Sequence, residues 1–273
     1  MLVRLLNKIL FKKIGQEGAG TVVSTGSNVN RFKPGQKVAF MTPGSLSEYH
    51  VIDQAKVVAI PDNLTEIDAA VGMLQGLTAW TFLQEACQIK KGTAVLIYAA
   101  SGGVGTLLVQ MAKHLGAYVI GTVSNEQKAQ LAKDNGADDI IYYTNNSIVD
   151  KVLELTNGKG VDVIFDGVGR DTFEDDFTIV ARKGTIISFG NASGAVPPFS
   201  ILRLTEKNVK LLRPSVMNYV STAEEFEHYS SQLFDLISRG IVKLHVHDVY
   251  KFDIESLRQA QADITWVLKN FLQ

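Results

Sequence analysis

Three closely spaced glycines are the residues of this chain best placed to take part in chemistry. The apolar run Ala94-Val-Leu-Ile-Tyr-Ala-Ala100 predicts a buried strand, and apolar residues at helical spacing begin at about Val104. In such a strand–turn–helix unit, Gly102 and Gly103 let the backbone approach phosphates closely, and Gly105 lets the helix pack against the strand. The exposed N–H groups and the helix dipole then face the anion. The motif therefore predicts a site for a dinucleotide pyrophosphate.

The end of the next predicted strand distinguishes between the two nicotinamide cofactors. Proteins that bind NAD usually carry Asp or Glu there, which accepts hydrogen bonds from the ribose 2′-OH. Here Ser124 and Asn125 occupy that position, and Lys128 follows one helical turn later. A hydroxyl and an ammonium would stabilise a 2′-phosphate that an acid would repel. The pattern favours NADP, although Lys128 alone could be a solvated helix charge and the nearby Glu126 weakens the electrostatic argument.

Composition indicates a soluble protein of about two domains. The chain has 273 residues, of which 46% are hydrophobic, and a net charge of −1 that gives no general attraction to nucleic acid or anionic lipid. No apolar run approaches the ~20 residues needed to span a bilayer. The single cysteine, Cys87, excludes an intramolecular disulfide and fits a reducing, cytoplasmic compartment. A buried structural thiol is favoured over a reactive one at this position.

The residues that could bind a metal are few. One cysteine excludes a Cys₄ zinc lobe, so a metal would need histidine or acidic ligands. The histidines are His50, His114, His228, His245 and His247. Only the last two are close in sequence, and no third ligand stands at a recognisable spacing. The sequence also lacks a Walker loop, a Gly-x-Ser-x-Gly elbow and a His-Glu-x-x-His helix. We therefore predict no metal site.

The order of predicted elements indicates a cofactor domain between two parts of another domain. Short β-segments broken by Gly and Pro turns are predicted at 18–25, 36–40, 46–52 and 56–60. Strands and helices then alternate, as in a parallel sheet covered on both faces. The predicted strands of that sheet are 94–100, 117–123, 139–143, 161–166, 184–190 and 208–213. A helix at 222–239, a strand at 241–250 and a helix at 253–263 follow.

Several motifs together resemble one protein family. They are Gly15-Gln-Glu-Gly-Ala-Gly20, Phe32-Lys-Pro-Gly-Gln-Lys-Val38, Gly76-Leu-Thr-Ala79, Ala99-Ala-Ser-Gly-Gly-Val-Gly105, Asp166-Gly-Val-Gly169, Ser188-Phe-Gly-Asn191 and Arg213-Pro214. Their order and spacing are similar to those of zinc-free medium-chain dehydrogenases/reductases, and most similar to the quinone oxidoreductases of the zeta-crystallin group. The resemblance implies an α/β fold: a doubly wound parallel Rossmann sheet inserted into an incomplete GroES-like β-rich domain. The expected domains are 1–75 (β-rich), 76–220 (NADP-binding) and 221–273 (a return to the β-rich domain).

The resemblance also implies NADPH as the cofactor and assigns residues to it. The pyrophosphate would lie against the backbone of Ser101, Gly102, Gly103, Val104 and Gly105. The adenosine 2′-phosphate would be held by Ser124, Lys128 and Tyr143. The nicotinamide end would be flanked by Thr78, Phe189, Gly190 and Asn191. Asp166 ends a strand at the carboxyl edge of the sheet, where it could face the ligand crevice or serve equally well as a turn or cap residue.

The implied reaction is hydride transfer from NADPH to a quinone or an enone. No catalytic residue is identified, because no general acid stands out and quinone reduction can take its proton from solvent. Gln16 stands where zinc alcohol dehydrogenases of the superfamily carry a histidine ligand, which supports a metal-free enzyme. A homodimer formed through the sheet edge at 184–190 and 208–213 is typical of the family. The physiological acceptor stays open.

Two other functions and the nature of the termini also stay open. The chain could bind NADPH without turnover, or bind AU-rich RNA as some zeta-crystallin relatives do, although its charge is near zero. Compared with the family, the chain is expected to be shortened at both ends. The basic segment 1–13 could be a mitochondrial-type leader, a helix covering the open barrel, or the product of a mis-joined reading frame. Segment 265–273 replaces the closing strand of the family.

Overall fold

The chain divides into two units. The computed structural model describes residues 14–271, with side chains described as far as Ile264. One unit contains the residues up to Phe82 together with Ser215–Leu244. The other contains Leu83–Pro214 and the residues from His245 onward. The chain therefore leaves the first unit, forms most of the second, and returns to the first before its last helix.

The first unit is built on a small antiparallel sheet. Its strands, β1 (Gly18–Thr21), β2 (Lys37–Phe40) and β3 (Val57–Ala59), lie in the order β1-β2-β3. Its small core consists of Phe32, Val38, Phe40 and Val57. Residues 46–52, which were expected to form another β-segment, form no strand, and Val51 is fully exposed. A strand needs a continuous partner for its backbone groups, whereas this segment pairs with none of the described strands. Its Leu46 N–H donates to the Ile14 carbonyl oxygen at 3.2 Å, and Ile52 packs against the small core.

Two long helices complete the first unit. Helix α1 (Glu66–Thr81) and helix α7 (Ala223–Ser238) each begin with a capping box, in which a threonine and an acid three residues later exchange hydrogen bonds with the backbone. The two helices pack closely, because a Cβ on Gly76 would lie 2.8 Å from a methyl carbon of Leu233. A short helix, α6 (Val216–Tyr219), precedes α7.

The second unit contains a parallel sheet of six strands, which confirms the predicted α/β fold. The strands are β4 (Ala94–Ile97), β5 (Tyr118–Val123), β6 (Asp139–Tyr142), β7 (Val161–Asp166), β8 (Val180–Ser188) and β9 (Lys210–Leu212). Their order is β6-β5-β4-β7-β8-β9. Because the order reverses between β4 and β7, a crevice is expected at the carboxyl ends of these two strands.

Helices connect most of these strands. They are α2 (Gly103–His114), α3 (Glu126–Asp134), α4 (Ile148–Leu155) and α5 (Phe173–Ile179), and α8 (Ile254–Phe271) follows at the end of the described chain. The core of the unit is aliphatic and includes Leu96, Ile120, Ile164 and Ile186, none of which is exposed. Such near-continuous apolar strands are typical of a sheet covered on both faces.

Three expectations about the elements differ from the structure or lie outside it. The strand predicted at 241–250 is wrong: Val242 is buried, but residues 243–250 have no regular structure and pair with no strand in the described chain. Tyr143 was expected as the last residue of its strand, whereas β6 ends at Tyr142 and Tyr143 begins a turn. The alternatives for segment 1–13 lie outside the described residues.

Candidate cofactor site

A sharp backbone turn joins β4 to α2. Ala99 adopts a left-handed conformation with φ 50°. The N–H of Gly102 donates to the Ala99 carbonyl oxygen at 2.8 Å, and the N–H of Thr106 donates to the Gly102 carbonyl oxygen at 2.8 Å. Gly102 is thus the N-cap residue of α2, which begins one residue earlier than the sequence predicted. The turn places the positive end of the helix at the carboxyl edge of the sheet, where an anion is stabilised.

Gly105 allows the first turn of α2 to rest directly on this loop. A Cβ at position 105 would lie 2.2 Å from the Ala99 carbonyl oxygen and 3.0 Å from the Ala100 Cα. Both neighbours are backbone atoms, so neither can move away without displacing the strand end or the helix. A Cβ on Gly102 would lie 3.2 Å from the same carbonyl oxygen. The close approach of helix and strand therefore depends on glycine, and it leaves the backbone of residues 101–105 without bulky side chains on this face.

Ser124, Lys128 and Tyr143 come together at the ends of β5 and β6. The Lys128 ammonium donates to the Ser124 hydroxyl at 2.8 Å. The Tyr143 N–H donates to the Val123 carbonyl oxygen at 3.1 Å, which places Tyr143 next to the residue that precedes Ser124. Partial burial lowers the pKa of Lys128. An ammonium that has lost part of its hydration gains more from a phosphate than a fully solvated one would.

Glu126, which weakened the electrostatic argument for NADP, is held by a residue that sequence reasoning missed. The Tyr142 hydroxyl donates to Glu126 Oε2 at 2.5 Å, and this bond raises the pKa of Tyr142. The Glu126 carboxylate is thus bound by a phenol from the neighbouring strand. No sequence signal connected the two residues, which are joined only because β5 and β6 pair side by side.

The predicted nicotinamide turn is fixed by the ends of β7 and β8. The N–H groups of Phe189 and Gly190 donate to the Asp166 carbonyl oxygen at 2.8 and 3.3 Å. A Cβ on Gly190 would lie 2.1 Å from the Gly167 carbonyl oxygen, so the two strand ends are in close backbone contact. Asn191 follows in the same turn, and its carbonyl oxygen accepts from Gly194 at 3.0 Å. Phe189, Gly190 and Asn191 therefore form one rigid loop at the carboxyl edge.

Arg213 holds this loop from the edge strand. Its Nη1 donates to the carbonyl oxygens of Ser188 and Gly190, each at 2.9 Å. The sequence contained Arg213 only as part of an Arg-Pro motif, without a role. Because the guanidinium reaches two carbonyl oxygens across the end of β8, it acts as a positioning residue for the turn.

Thr78 lies in the first unit, unlike the other predicted site residues. Its hydroxyl donates to the Leu74 carbonyl oxygen one turn earlier on α1, at 2.7 Å. The Leu74 N–H in turn donates to Glu17 Oε2 at 2.5 Å. Burial raises the pKa of Glu17 from its ordinary value of 4.5 to about 7, against the opposing effect of the Leu74 hydrogen bond. Glu17 therefore titrates near neutral pH.

This titration predicts a pH-dependent stability. Because the pKa of Glu17 is raised on folding, the stability present below pH 4.5 is lost as the pH rises through about 7. We expect Glu17→Gln to remove this loss and to stabilise the protein at alkaline pH by roughly 1–2 kcal/mol, allowing for partial exposure. The difference in stability between wild type and Glu17→Gln is measured by thermal unfolding over a pH series. The exposed Glu48→Gln should leave the profile unchanged, and equal profiles for wild type and Glu17→Gln would contradict the prediction.

Among residues 14–271, no three histidine, cysteine or acidic side chains are grouped so that they could hold a metal ion. Within the same residues, no helix combines the length and apolar character needed to cross a membrane.

Comparison with known proteins shows the family. Residues 10–62 match the alcohol dehydrogenase GroES-like domain, and residues 103–235 match the zinc-binding dehydrogenase family. A quinone oxidoreductase of Pseudomonas aeruginosa is 39% identical over 254 residues, covering 92% of this chain and 78% of the relative. The chain belongs to the quinone oxidoreductase family of the medium-chain dehydrogenases/reductases. This confirms the family predicted from the motifs.

Solved structures of the quinone oxidoreductase family support the same assignment. The enzyme of Pseudomonas syringae pv. Tomato DC3000 has a TM-score of 0.87 and 39% identity, covering 93% of this chain and 79% of its own. The Escherichia coli quinone oxidoreductase, solved in complex with NADPH, has a TM-score of 0.83 and 39% identity, covering 87% of this chain and 74% of its own.

Proposed function

We propose that this protein is an NADPH-dependent quinone reductase that transfers hydride to a small, electron-poor quinone or enone. The observation that carries the proposal is the Lys128–Ser124 pair at the end of β5, at the same edge of the sheet as the glycine turn. The two features supply a cation for a 2′-phosphate and a helix N-terminus for a pyrophosphate. The NADPH complex of the E. coli relative supports the same cofactor.

The residues present fit such a cofactor. The turn at 101–105 presents the N-terminus of α2 at the carboxyl edge of the sheet, and glycine at position 105 permits this because a Cβ there would lie 2.2 Å from the Ala99 carbonyl oxygen. When bound, NADPH supplies the hydride. The protein therefore has to bind the cofactor, orient its nicotinamide towards the acceptor and exclude water. Ser124, Lys128 and Tyr143 would hold the 2′-phosphate. The loop of Phe189, Gly190 and Asn191, fixed by Asp166 and Arg213, would orient the nicotinamide.

The test separates binding from turnover. NADPH binding to the purified chain would be measured by the change in its fluorescence, with NADH in parallel. Oxidation would be followed by the loss of reduced-nicotinamide absorbance with an ortho-quinone or an enone. We expect tight binding of NADPH, weak binding of NADH, and NADPH oxidation that depends on the acceptor. Binding without turnover would leave a cofactor-binding protein only, and the absence of NADPH binding would overturn the proposal.

The Tyr142–Glu126 bond predicts part of the cofactor preference. Tyr142→Phe would release the Glu126 carboxylate near the 2′-phosphate position, and like charges repel. We expect the NADPH-over-NADH preference to fall about three- to tenfold. Adding Glu126→Gln should restore it. The matched control is Tyr118→Phe, which removes a similar bond to Asp139 at the other end of β5. A loss that Glu126→Gln does not restore would contradict the prediction.

Further properties belong to this proposal. We infer catalysis without zinc, because Gln16 stands in place of a ligand histidine, and chelators should then leave the activity unchanged. A homodimer formed through β9, the edge strand of the parallel sheet, would be detected by light scattering. A cytoplasmic location fits the single cysteine. RNA binding stays a prediction from the family resemblance.

A further inference from the structure

A cluster of buried polar groups lies beside the nicotinamide-end turn. It consists of Asp166 at the end of β7, Asp176 on α5, and Tyr98 directly after β4. Asp166 and Asp176 have no exposed surface, and Tyr98 is 3% exposed. Two acids are rarely buried this completely unless they are paired with a base, since burying an uncompensated carboxylate costs several kcal/mol. The cluster therefore requires a specific arrangement of charge and protons.

The hydrogen bonds in the cluster are distributed unequally. Oδ1 of Asp166 accepts from the N–H of Val168 at 2.7 Å, the N–H of Gly169 at 3.0 Å and the Thr172 hydroxyl at 3.0 Å. Within the described chain, Oδ2 of Asp166, both carboxyl oxygens of Asp176 and the Tyr98 hydroxyl are buried without a hydrogen bond. These groups nevertheless lie close enough to shift one another's pKa. Buried polar atoms of this kind require an explanation.

Electrostatics decides which acid is charged. Burial raises the pKa of Asp166, but three hydrogen-bond donors and the positive charge of Arg213 oppose this rise and stabilise its anion. Asp176 has no such donors, and both Asp166 and Asp175 add negative charge near it. Burial first, and then the Asp166 charge, raise the pKa of Asp176 well above its ordinary value, while the Tyr98 hydroxyl lowers it. Two adjacent carboxyl groups then hold one proton, which resides on Asp176.

Asp166 connects this proton to the cofactor turn. Its side chain holds the N–H groups of Val168 and Gly169 after β7, and its carbonyl oxygen holds those of Phe189 and Gly190 after β8. A rotation of the Asp166 carboxyl would release the N–H groups of Val168 and Gly169. Because the carbonyl oxygens of Gly167 and Val168 accept from the N–H groups of Ala192 at 3.3 Å and Ser193 at 2.9 Å, this would also loosen the segment after β8. Asp176 lies next to the Asp166 carboxyl, whose Oδ2 makes no hydrogen bond in the described chain.

We propose that Asp176 carries a proton that it shares with Oδ2 of Asp166, and that this proton fixes the Asp166 carboxyl in the orientation that holds the turn at 167–169, to which the loop after β8 is hydrogen-bonded. Asp176 is thus a positioning residue for the nicotinamide end of the cofactor, a role that rests on the proposed function. It acts through Asp166 and does not touch the cofactor. The Tyr98 hydroxyl completes the cluster by facing Asp176 from the end of β4.

The sign of the pH effect follows from the shared proton. Because the pKa of Asp176 is raised on folding, the stability is present at low pH and lost as the pH rises through the folded-state pKa. Ionised Asp176 would repel Asp166 and loosen the turn. The stability of the wild type and its affinity for NADPH should therefore fall together at alkaline pH.

The experiment compares the wild-type residue at position 176 with Asp176→Asn, which keeps the shape and removes the titration. Every chain in the comparison also carries Glu17→Gln, because the Glu17 carboxyl titrates near pH 7 and would add its own infrared band and pH dependence. Infrared difference spectroscopy should show the C=O band of a protonated carboxyl in the wild type at neutral pH and its absence in Asp176→Asn. Between neutral and alkaline pH, the NADPH affinity and the melting temperature of the wild type should fall, the affinity by roughly tenfold. Those of Asp176→Asn should stay level. The control is Asp175→Asn, the same change one residue earlier on α5, which should keep the infrared band and the pH dependence.

The outcomes separate this proposal from the proposed function. If the wild type shows no protonated carboxyl band, or if wild type and Asp176→Asn respond to pH identically, the proposal is overturned. The infrared and melting measurements need no cofactor, so they decide the proton even if NADPH does not bind. If Asp176→Asn does not fold, the shared proton is tested with the wild type and Asp175→Asn alone. Both should show the protonated carboxyl band at neutral pH and lose it at alkaline pH, and a band that does not change with pH would overturn the proposal.

Discussion

Gly105→Ala is expected to abolish NADPH binding and to lower the free energy of unfolding by about 2–3 kcal/mol. The added Cβ would lie 2.2 Å from the Ala99 carbonyl oxygen, and both atoms belong to rigid elements. The helix must therefore move away from the strand end, which removes its N–H groups from the position of the pyrophosphate. Fluorescence titration with NADPH and denaturant unfolding would measure the two effects.

The matched control is Gly20→Ala on β1. A Cβ on Gly20 meets no atom within 4 Å, and its backbone conformation suits any residue. This variant should bind NADPH as the wild type does. If Gly105→Ala retained full affinity for NADPH, the close contact between α2 and the end of β4 would not be required for the site.

Lys128→Ala is expected to raise the Kd for NADPH about 10- to 100-fold and to leave the Kd for NADH almost unchanged. A hydrogen bond between an ammonium and a phosphate contributes about 1.5–3 kcal/mol. Lys128 already contacts Ser124 at 2.8 Å and has lost part of its hydration, so little reorganisation is needed on binding. Parallel titrations with NADPH and NADH measure the difference between the two cofactors.

Lys133→Ala provides the control for this variant. Lys133 is an exposed lysine near the other end of α3, so its loss changes the net charge equally but far from Ser124. Raising the salt concentration should weaken NADPH binding to the wild type more than to Lys128→Ala. An equal loss of affinity for NADPH and NADH in Lys128→Ala would place Lys128 elsewhere than at the 2′-phosphate.

Features that depend on neighbouring residues in the chain were predictable from the sequence. The strand, glycine turn and helix at 94–115 follow from local apolar spacing and from the conformational freedom of glycine, and the structure has all three. The parallel sheet followed from alternating strand and helix patterns. The pair of Ser124 and Lys128 was predictable for the same reason, since residues four apart share a helix face or its cap.

Features that depend on pairing between distant segments were decided only by the tertiary structure. Residues 241–250 had a strand-like pattern, but a strand forms only where a partner edge is available, and none of the described strands pairs with this segment. The bond from Tyr142 to Glu126 required the neighbouring positions of β5 and β6. Arg213 holds the turn after β8 because its guanidinium donates to carbonyl oxygens of that neighbouring segment.

The burial of Asp166 and Asp176 also could not be predicted from the sequence. Asp166 was equally consistent with a ligand contact and a turn residue, and Asp176 had the appearance of one more acid in Phe173-Glu-Asp-Asp-Phe177. The sequence by itself determined the family and the Rossmann turn, and it placed Lys128 one helical turn after Ser124, where we propose that the 2′-phosphate binds. Only the packing of α5 against β7 brought two acids together without solvent. Burial is a property of the whole fold, because water is excluded only when several distant elements close around the same point.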